Sequence, residues 1–199
     1  MIKLDIGGGS IPKPGYINID CIDHPMVHYK VDLNSGIFPF EDNSVDEIYS
    51  NHCLEHINPG YNGFLHCIEE LWRISKPNAP WYIRVPYHNS HHTYANPFHT
   101  NNIFNEYTFY YFSDVAKQQP FSNTCVRKGS AMEYHLKATL IIDQINFEYF
   151  SNYSHLKDLP EQDQEIYRLG MPNVVNNIVY HMRAEKPDFW VKEIIRNSR

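Results

Sequence analysis

The chain of 199 residues carries a net charge of -6, and no basic run in it is longer than two residues, which argues against a nucleic-acid partner held through its phosphates. With 42% apolar and 15% aromatic residues it has the length and composition of one domain with a real core. No stretch approaches the roughly 18 apolar residues of a membrane span, and Met1-Ile2-Lys3-Leu4-Asp5 lacks the apolar block of an export signal, so Cys21, Cys53, Cys67 and Cys125, with no C-x-x-C pair among them, read as free thiols in a reducing cytoplasm.

The first strand is expected over residues 2–6 and runs straight into Gly7-Gly8-Gly9. A second strand, 16–21, carries an acid, Asp20, at its end. The join between them, residues 7–15, holds Pro12 and Pro14 and is too short for an ordinary crossover helix. A third strand reads over 27–33, a turn over 40–44 and a fourth strand over 45–50. Asn58-Pro59-Gly60 breaks the chain. Phe64, Leu65, Ile68, Leu71 and Trp72 then recur at helical spacing up to Ile74, and the segment 76–80, with Pro77 and Pro80, stops that helix before a fifth strand over 81–85. Residues 87–105 are irregular and dense in His, Asn and Tyr. A short helix is expected over 106–115, little periodicity over 117–134, and a long or bulged sixth strand over 137–150. A helix over 161–169, a seventh strand over 177–184 and a short helix or docked arm from 186 complete the chain. Alternation led by strands predicts an α/β fold with a mainly parallel sheet, whose ligand site lies beyond the carboxyl ends of the strands.

Glycines after the first strand let a ligand approach the backbone, and an acid ending the second strand can accept hydrogen bonds from ribose hydroxyls. Four further segments join this pair. They are Val31-Asp32-Leu33; Phe38-Pro39-Phe40-Glu41-Asp42-Asn43-Ser44-Val45-Asp46-Glu47-Ile48; His52-Cys53-Leu54-Glu55-His56-Ile57; and Glu70-Leu71-Trp72-Arg73-Ile74-Ser75-Lys76-Pro77. In this order the segments resemble those of class I S-adenosylmethionine-dependent methyltransferases, in the branch that acts on small molecules and is associated with glycans. Two positions depart from the pattern: Ser10 or Ile11 stands where the family has a third motif glycine, and Asn78-Ala79 where it has Gly-Gly. The short spacing from Gly7 to Asp20, with Pro14-Gly15-Tyr16-Ile17-Asn18-Ile19-Asp20, resembles a branch linked to cell-surface polysaccharide synthesis.

The resemblance implies a single domain over 1–199. Its seven-stranded, mainly parallel Rossmann-like sheet has flanking helices, a first helix shortened or lost, and acceptor-side insertions around 87–112 and 117–136. It implies S-adenosyl-L-methionine as cofactor. Asp5, Gly7, Gly8 and Gly9 form the cofactor-binding first motif, in which the backbone N–H groups of Gly7 to Gly9 would meet its carboxylate; Asp20 would meet its ribose and Asp32 its adenine, and Asn51 or His52 would lie where the methyl faces the substrate. For Asp32 a second reading is a turn acid capping Asn34-Ser35-Gly36.

His88, His91, His92 and His99 follow the fifth strand. Three readings fit them: structurally bonded histidines, a general base that removes a hydroxyl proton, or a metal site. H-x-x-H-H brings two imidazoles together, but no Cys or clear acid stands beside them in the sequence, so no metal is assigned. His99 and His88 are the leading base candidates and His52 the reserve. Asn96-Pro97-Phe98 follows the fifth strand rather than the fourth, unlike the Asn-Pro-Pro-Phe motif of amino-group DNA methyltransferases. Glu55 and His56 read equally well as structural. The expected activity is methyl transfer to oxygen on a small-molecule or glycan acceptor. The alternatives are an inactive domain that binds the cofactor, N-methylation by proximity and, less compatible with the glycine spacing, a nicotinamide enzyme. With the first strand starting at residue 2, the aromatic stretches after the fifth strand, or a second subunit in a homodimer, are expected to cover the cofactor.

Overall fold

The computed structural model describes residues 1–99, 101–113 and 136–187. Seven strands, β1 Lys3–Ile6, β2 Ile17–Asp20, β3 Tyr29–Lys30, β4 Glu47–Asn51, β5 Pro80–Pro86, β6 Thr139–Tyr149 and β7 Val175–Glu185, form one sheet in the order β3-β2-β1-β4-β5-β7-β6. The pairings among β1 to β5 are parallel, and β7 runs antiparallel to both β5 and β6. This is the mainly parallel, Rossmann-like α/β architecture that the alternation of elements predicts. The chain leaves β1 for β2 on one side and returns to β4 on the other, so a crevice opens past the ends of these three strands, where such sheets bind ligands.

One face of the sheet is apolar. Leu4, Ile6, Ile48, Trp81, Ile83, Tyr180 and Met182 are all buried there. Helix α1, Phe64–Ile74, belongs to the same core through Phe64, Cys67, Ile68, Leu71 and Ile74, the three-and-four spacing of an amphipathic helix. Each large aliphatic side chain so buried is worth roughly 1.5–3 kcal/mol. The 3-10 helix Thr108–Phe112 completes the cover, with Phe109 edge-on to Tyr180 at 4.7 Å and tilted against Phe64.

The other face is polar and aromatic. No helix joins β1 to β2, as the proline-bearing spacer predicts, and among the described residues no helix lies between β2 and β3 either. Tyr49 stacks on Tyr82 at 5.1 Å, Tyr82 meets His181 edge-on, and Lys13 lies 4.0 Å over the Tyr49 ring. Lys3–Glu47, Arg84–Glu148 and Arg183–Asp143 pairs flank these rings.

Several expected elements change. The third strand shrinks from 27–33 to two residues, because Asp32 accepts from Asn34 N at 3.0 Å and Ser35 Oγ at 2.8 Å and folds the chain away from the edge. The helix expected over 106–115 is a 3-10 turn in its described part, since Phe109 and Phe112 serve the core at a spacing of three. Within the irregular stretch one helical turn forms, α2 His91–Tyr94, capped by Ser90. The sixth strand is bulged, with register shifts at Ile142/Gln144 and Glu148/Tyr149. Ser151–Asp158 forms a 3-10 helix that no periodicity in the sequence announces, and α3, Glu161–Gly170, follows as expected. Most of the expected insertion at 117–136 and the tail beyond 187 lie outside the described residues.

Candidate functional site

A cleft of about 230 Å³ opens past the carboxyl ends of β1, β2 and β4. Its walls are Gly7, Asp20, Cys21, Asp32, Leu33, Asn34, His52, Cys53, His56 and Ile57. Pockets that enclose a whole ligand usually measure roughly 300–1,000 Å³, so this cleft grips part of one.

Gly7 has φ +73° and would place a Cβ 2.2 Å from Cys53 Sγ. Only glycine lets the turn after β1 close on the turn after β4. The N–H groups of Gly7 and Gly9 are engaged internally, donating to Ile19 O at 2.8 Å and to Asp20 Oδ2 at 2.9 Å. The glycine turn thus contributes close approach at Gly7 rather than those two donors. Gly8 packs over Asp5 and Asn18, and Asp5, 3% exposed, accepts from Lys13 N at 2.7 Å. Burial pushes the Asp5 carboxyl up, against the hydrogen bond from Lys13 N. None of Asp5, Gly8 and Gly9 is among the residues lining the cleft.

Asp20 is anchored by Gly9 N on one oxygen and by Ile22 N, at 3.2 Å, on the other, and it lines the cleft. Each oxygen keeps a second lone pair for a ligand hydroxyl. Asp32 caps its loop, accepting from Asn34 N and Ser35 Oγ, and also lines the cleft. Its hydrogen bonds from the Asn34 N–H and side chain and from Ser35 hold it below the usual carboxylate range. Asn51 ends β4 exposed, its Oδ1 accepting from Arg84 Nη1 at 2.9 Å. Arg84 is also tied to Glu148, which takes a hydrogen bond from Asn177. Asn51, one residue before the cleft wall His52, is not itself one of its walls.

The residue after β4 carries the clearest local signal. His52 has φ +53°, a left-handed conformation rare in residues with a side chain and held here by tertiary contacts. Its N–H donates to Arg84 O at 2.9 Å, its imidazole lines the cleft, and Nδ1 lies 3.2 Å from Glu55 Oε1. Glu55 is 1% exposed and neither of its oxygens has an aligned hydrogen-bond donor.

The histidines after β5 divide. His99 meets His56 edge-on at 4.6 Å and contacts the His92 carbonyl through Nδ1 at 2.6 Å. His91 and His92 stack on Phe150. His92 is held below the ordinary imidazole range, first by burial and then by the neighbouring His91, His52 and His99. His88 instead packs edge-on against Tyr87 beside Glu106, and burial lowers its proton affinity. It is not a wall of the cleft. The structure thus gathers His52, Glu55, His56, His92 and His99 and sets His88 apart. In the sequence Glu55 and His56 read as structural at least as well as catalytic. The signal that points to them is the i, i+3, i+4 spacing from His52 around the turn.

The segment after β5 docks on this same turn. Asn101 Nδ2 donates to His56 O, and Asn102 Nδ2 to Leu54 O and Ile57 O. Asn34 Oδ1 accepts from Asn58 N at 2.8 Å and ties the far wall to it.

This sheet, with its crevice at the switch point, shares its fold with solved S-adenosylmethionine-dependent methyltransferases. An Archaeoglobus fulgidus SAM-dependent methyltransferase is similar with a TM-score of 0.54 at 15% identity, over 92% of this chain and 85% of that one. Phosphoethanolamine N-methyltransferase 2 of Haemonchus contortus, solved with phosphomonomethylethanolamine and S-adenosylhomocysteine, is similar with a TM-score of 0.50 at 13% identity, over 93% of this chain and 48% of that one. No protein-family model matches the chain, and no curated protein matches it.

Proposed function

We propose that this chain is a methyltransferase that uses S-adenosyl-L-methionine to methylate a hydroxyl of a small-molecule or glycan acceptor. The observation that carries the reading is the cleft itself. A glycine that tolerates no Cβ, an anchored acid at the end of β2 and a loop acid after β3 share one crevice with an imidazole from the turn after β4. These residues fit the cofactor: Asp20 has lone pairs for the ribose hydroxyls, Asp32 on the loop after β3 would meet the adenine, and Gly7 permits close approach. When bound, the cofactor supplies an electrophilic methyl on its sulfonium.

The chain's own residues do the rest. His52 accepts the hydroxyl proton as the acceptor oxygen takes the methyl, and later releases it to solvent. The Glu55 carboxylate, 3.2 Å from Nδ1, stabilises the imidazolium once it forms. His99, edge-on to the cleft wall His56 and held by the His92 carbonyl, positions the acceptor. Isothermal titration with S-adenosylhomocysteine, beside one with NAD as control, tests the cofactor. Transfer of a labelled methyl group to a panel of hydroxyl and amine acceptors tests the chemistry. Saturable binding of S-adenosylhomocysteine alone, with transfer to a hydroxyl that is lost in His52→Gln, is expected. Binding of NAD instead would overturn the reading, and transfer only to amines, unaffected by His52→Gln, would move the acceptor to nitrogen.

A further inference from the structure

We infer that Glu55, His56 and His99 form a binding site for a divalent transition-metal ion at the mouth of the cleft. Each of the three offers a ligand atom within 4.8 Å of the others. They come from two separate segments, the 3-10 turn Leu54–His56 after β4 and the loop after α2. The donor set, two imidazoles and a carboxylate, is one that zinc, iron and cobalt accept and that magnesium and calcium disfavour.

Two further observations point to a cation. The first is Glu55. It is 1% exposed, and both of its oxygens lack an aligned donor. A buried carboxylate without hydrogen bonds is costly unless a positive charge meets it. Oε1 lies toward His52 at 3.2 Å, which leaves Oε2 available. The second is the tautomer of His99. Its Nδ1 lies 2.6 Å from the His92 carbonyl, which can only accept, so Nδ1 carries the proton and the lone pair of a neutral ring sits on Nε2. An Nδ1–H held by a backbone carbonyl is the usual outer support of a metal-bound imidazole.

A zinc ion with bonds of about 2.0–2.2 Å holds its ligand atoms roughly 3.3 Å apart. The three groups must therefore close by up to about 1.5 Å, which exposed His56 can supply by side-chain rotation while His99 keeps its contact with the His92 carbonyl. Three protein ligands leave a fourth position open. His56 is itself a wall of the cleft, so that position borders the place where the acceptor would sit. A role for the ion in lowering the proton affinity of an acceptor hydroxyl rests on the proposed function, whereas the site itself does not.

The test uses the full chain freed of metal with a chelator. Cobalt(II) is followed by its visible absorption and zinc by calorimetry, both without S-adenosylmethionine. One equivalent of tetrahedral or five-coordinate cobalt, displaced by one equivalent of zinc and not by millimolar magnesium, is expected. Glu55→Gln, His56→Ala and His99→Ala should each weaken zinc binding at least tenfold, and His155→Ala, on an exposed residue far along the chain, should not. If Glu55→Gln fails to fold, the two histidine variants carry the test. Absence of saturable binding by the wild-type chain, or binding that survives both histidine variants unchanged, overturns the site. Loss of cofactor binding with zinc binding intact would sink the methyltransferase reading and leave the metal site standing.

Discussion

His52 combines a strained backbone with a side chain in the cleft, and the two can be separated. Glycine at this position relieves the left-handed conformation, so His52→Gly should raise stability by about 0.5–1 kcal/mol in urea denaturation while abolishing imidazole-dependent turnover. Equal or lower stability would mean that side-chain contacts, with Glu55 foremost, outweigh the strain. Gly7 behaves in the opposite way. A methyl group there meets Cys53 Sγ at φ +73°, and Gly7→Ala should destabilise the chain by about 2–5 kcal/mol in the same assay. Asp20→Ala removes lone pairs facing the cleft and should weaken S-adenosylhomocysteine binding by roughly 1.5–3 kcal/mol in calorimetry. Unchanged affinity would refute the ribose assignment. These residue-level roles were legible in part. Gly7 and Asp20 stand out from their places after a strand and line the cleft, whereas Asp5, Gly8 and Gly9, expected beside them, are not among its walls. One carboxylate in a motif does not reveal which way its strand turns it.

Among the elements, α1 is the one that sequence periodicity predicts most closely, its expected span and observed Phe64–Ile74 coinciding. Leu71 is fully buried in its apolar stripe, so Leu71→Ala should cost about 2–5 kcal/mol in urea denaturation, whereas a value below 1 kcal/mol would show that the site collapses around the lost volume. The turn after β4 and the loop after β5 are the least legible. Neither has a period, and each is shaped by the other: Asn101 and Asn102 satisfy carbonyls of the 3-10 turn 54–56 and its cap. Contacts with a separation of about 45 residues leave no mark in a local pattern. That is why His88 and His99, equal candidates in the sequence, end in different surroundings.

Across the whole molecule, charge placement sets the response to pH. Burial lowers the proton affinity of His88 and His92, so below about pH 6.5 the unfolded chain binds more protons than the folded one and stability falls. Asp46 and Asp143 are held below the usual carboxylate range, first by hydrogen bonds from Lys76 and Arg183, and Asp32 by its own loop. Their contribution is present above the unfolded value near 4 and is lost as the pH drops through their lowered folded values. Asp5, raised by burial, acts in the opposite sense and is outnumbered. Thermal melts from pH 8 to pH 4 should therefore show a melting temperature that declines steadily below about pH 6.5. A flat profile would refute these assignments.

The sequence by itself determined the alternation of strands and helices, the apolar face that gathers them, the missing helix between β1 and β2 and the position of the crevice. Each follows from spacing along the chain: the period of the apolar residues, the proline-bearing spacer too short for a crossover, and the acid at a strand end. Only the tertiary structure decided which polar groups meet. The burial of Glu55 without an aligned donor, the left-handed turn at His52, the approach of His99 to His56 and the internal use of the Gly7 and Gly9 amides all depend on segments far apart in the chain. Hydrogen bonds and close charges act over a few ångströms. Whether two such groups come that close is fixed by packing, which the order of residues encodes only through the fold.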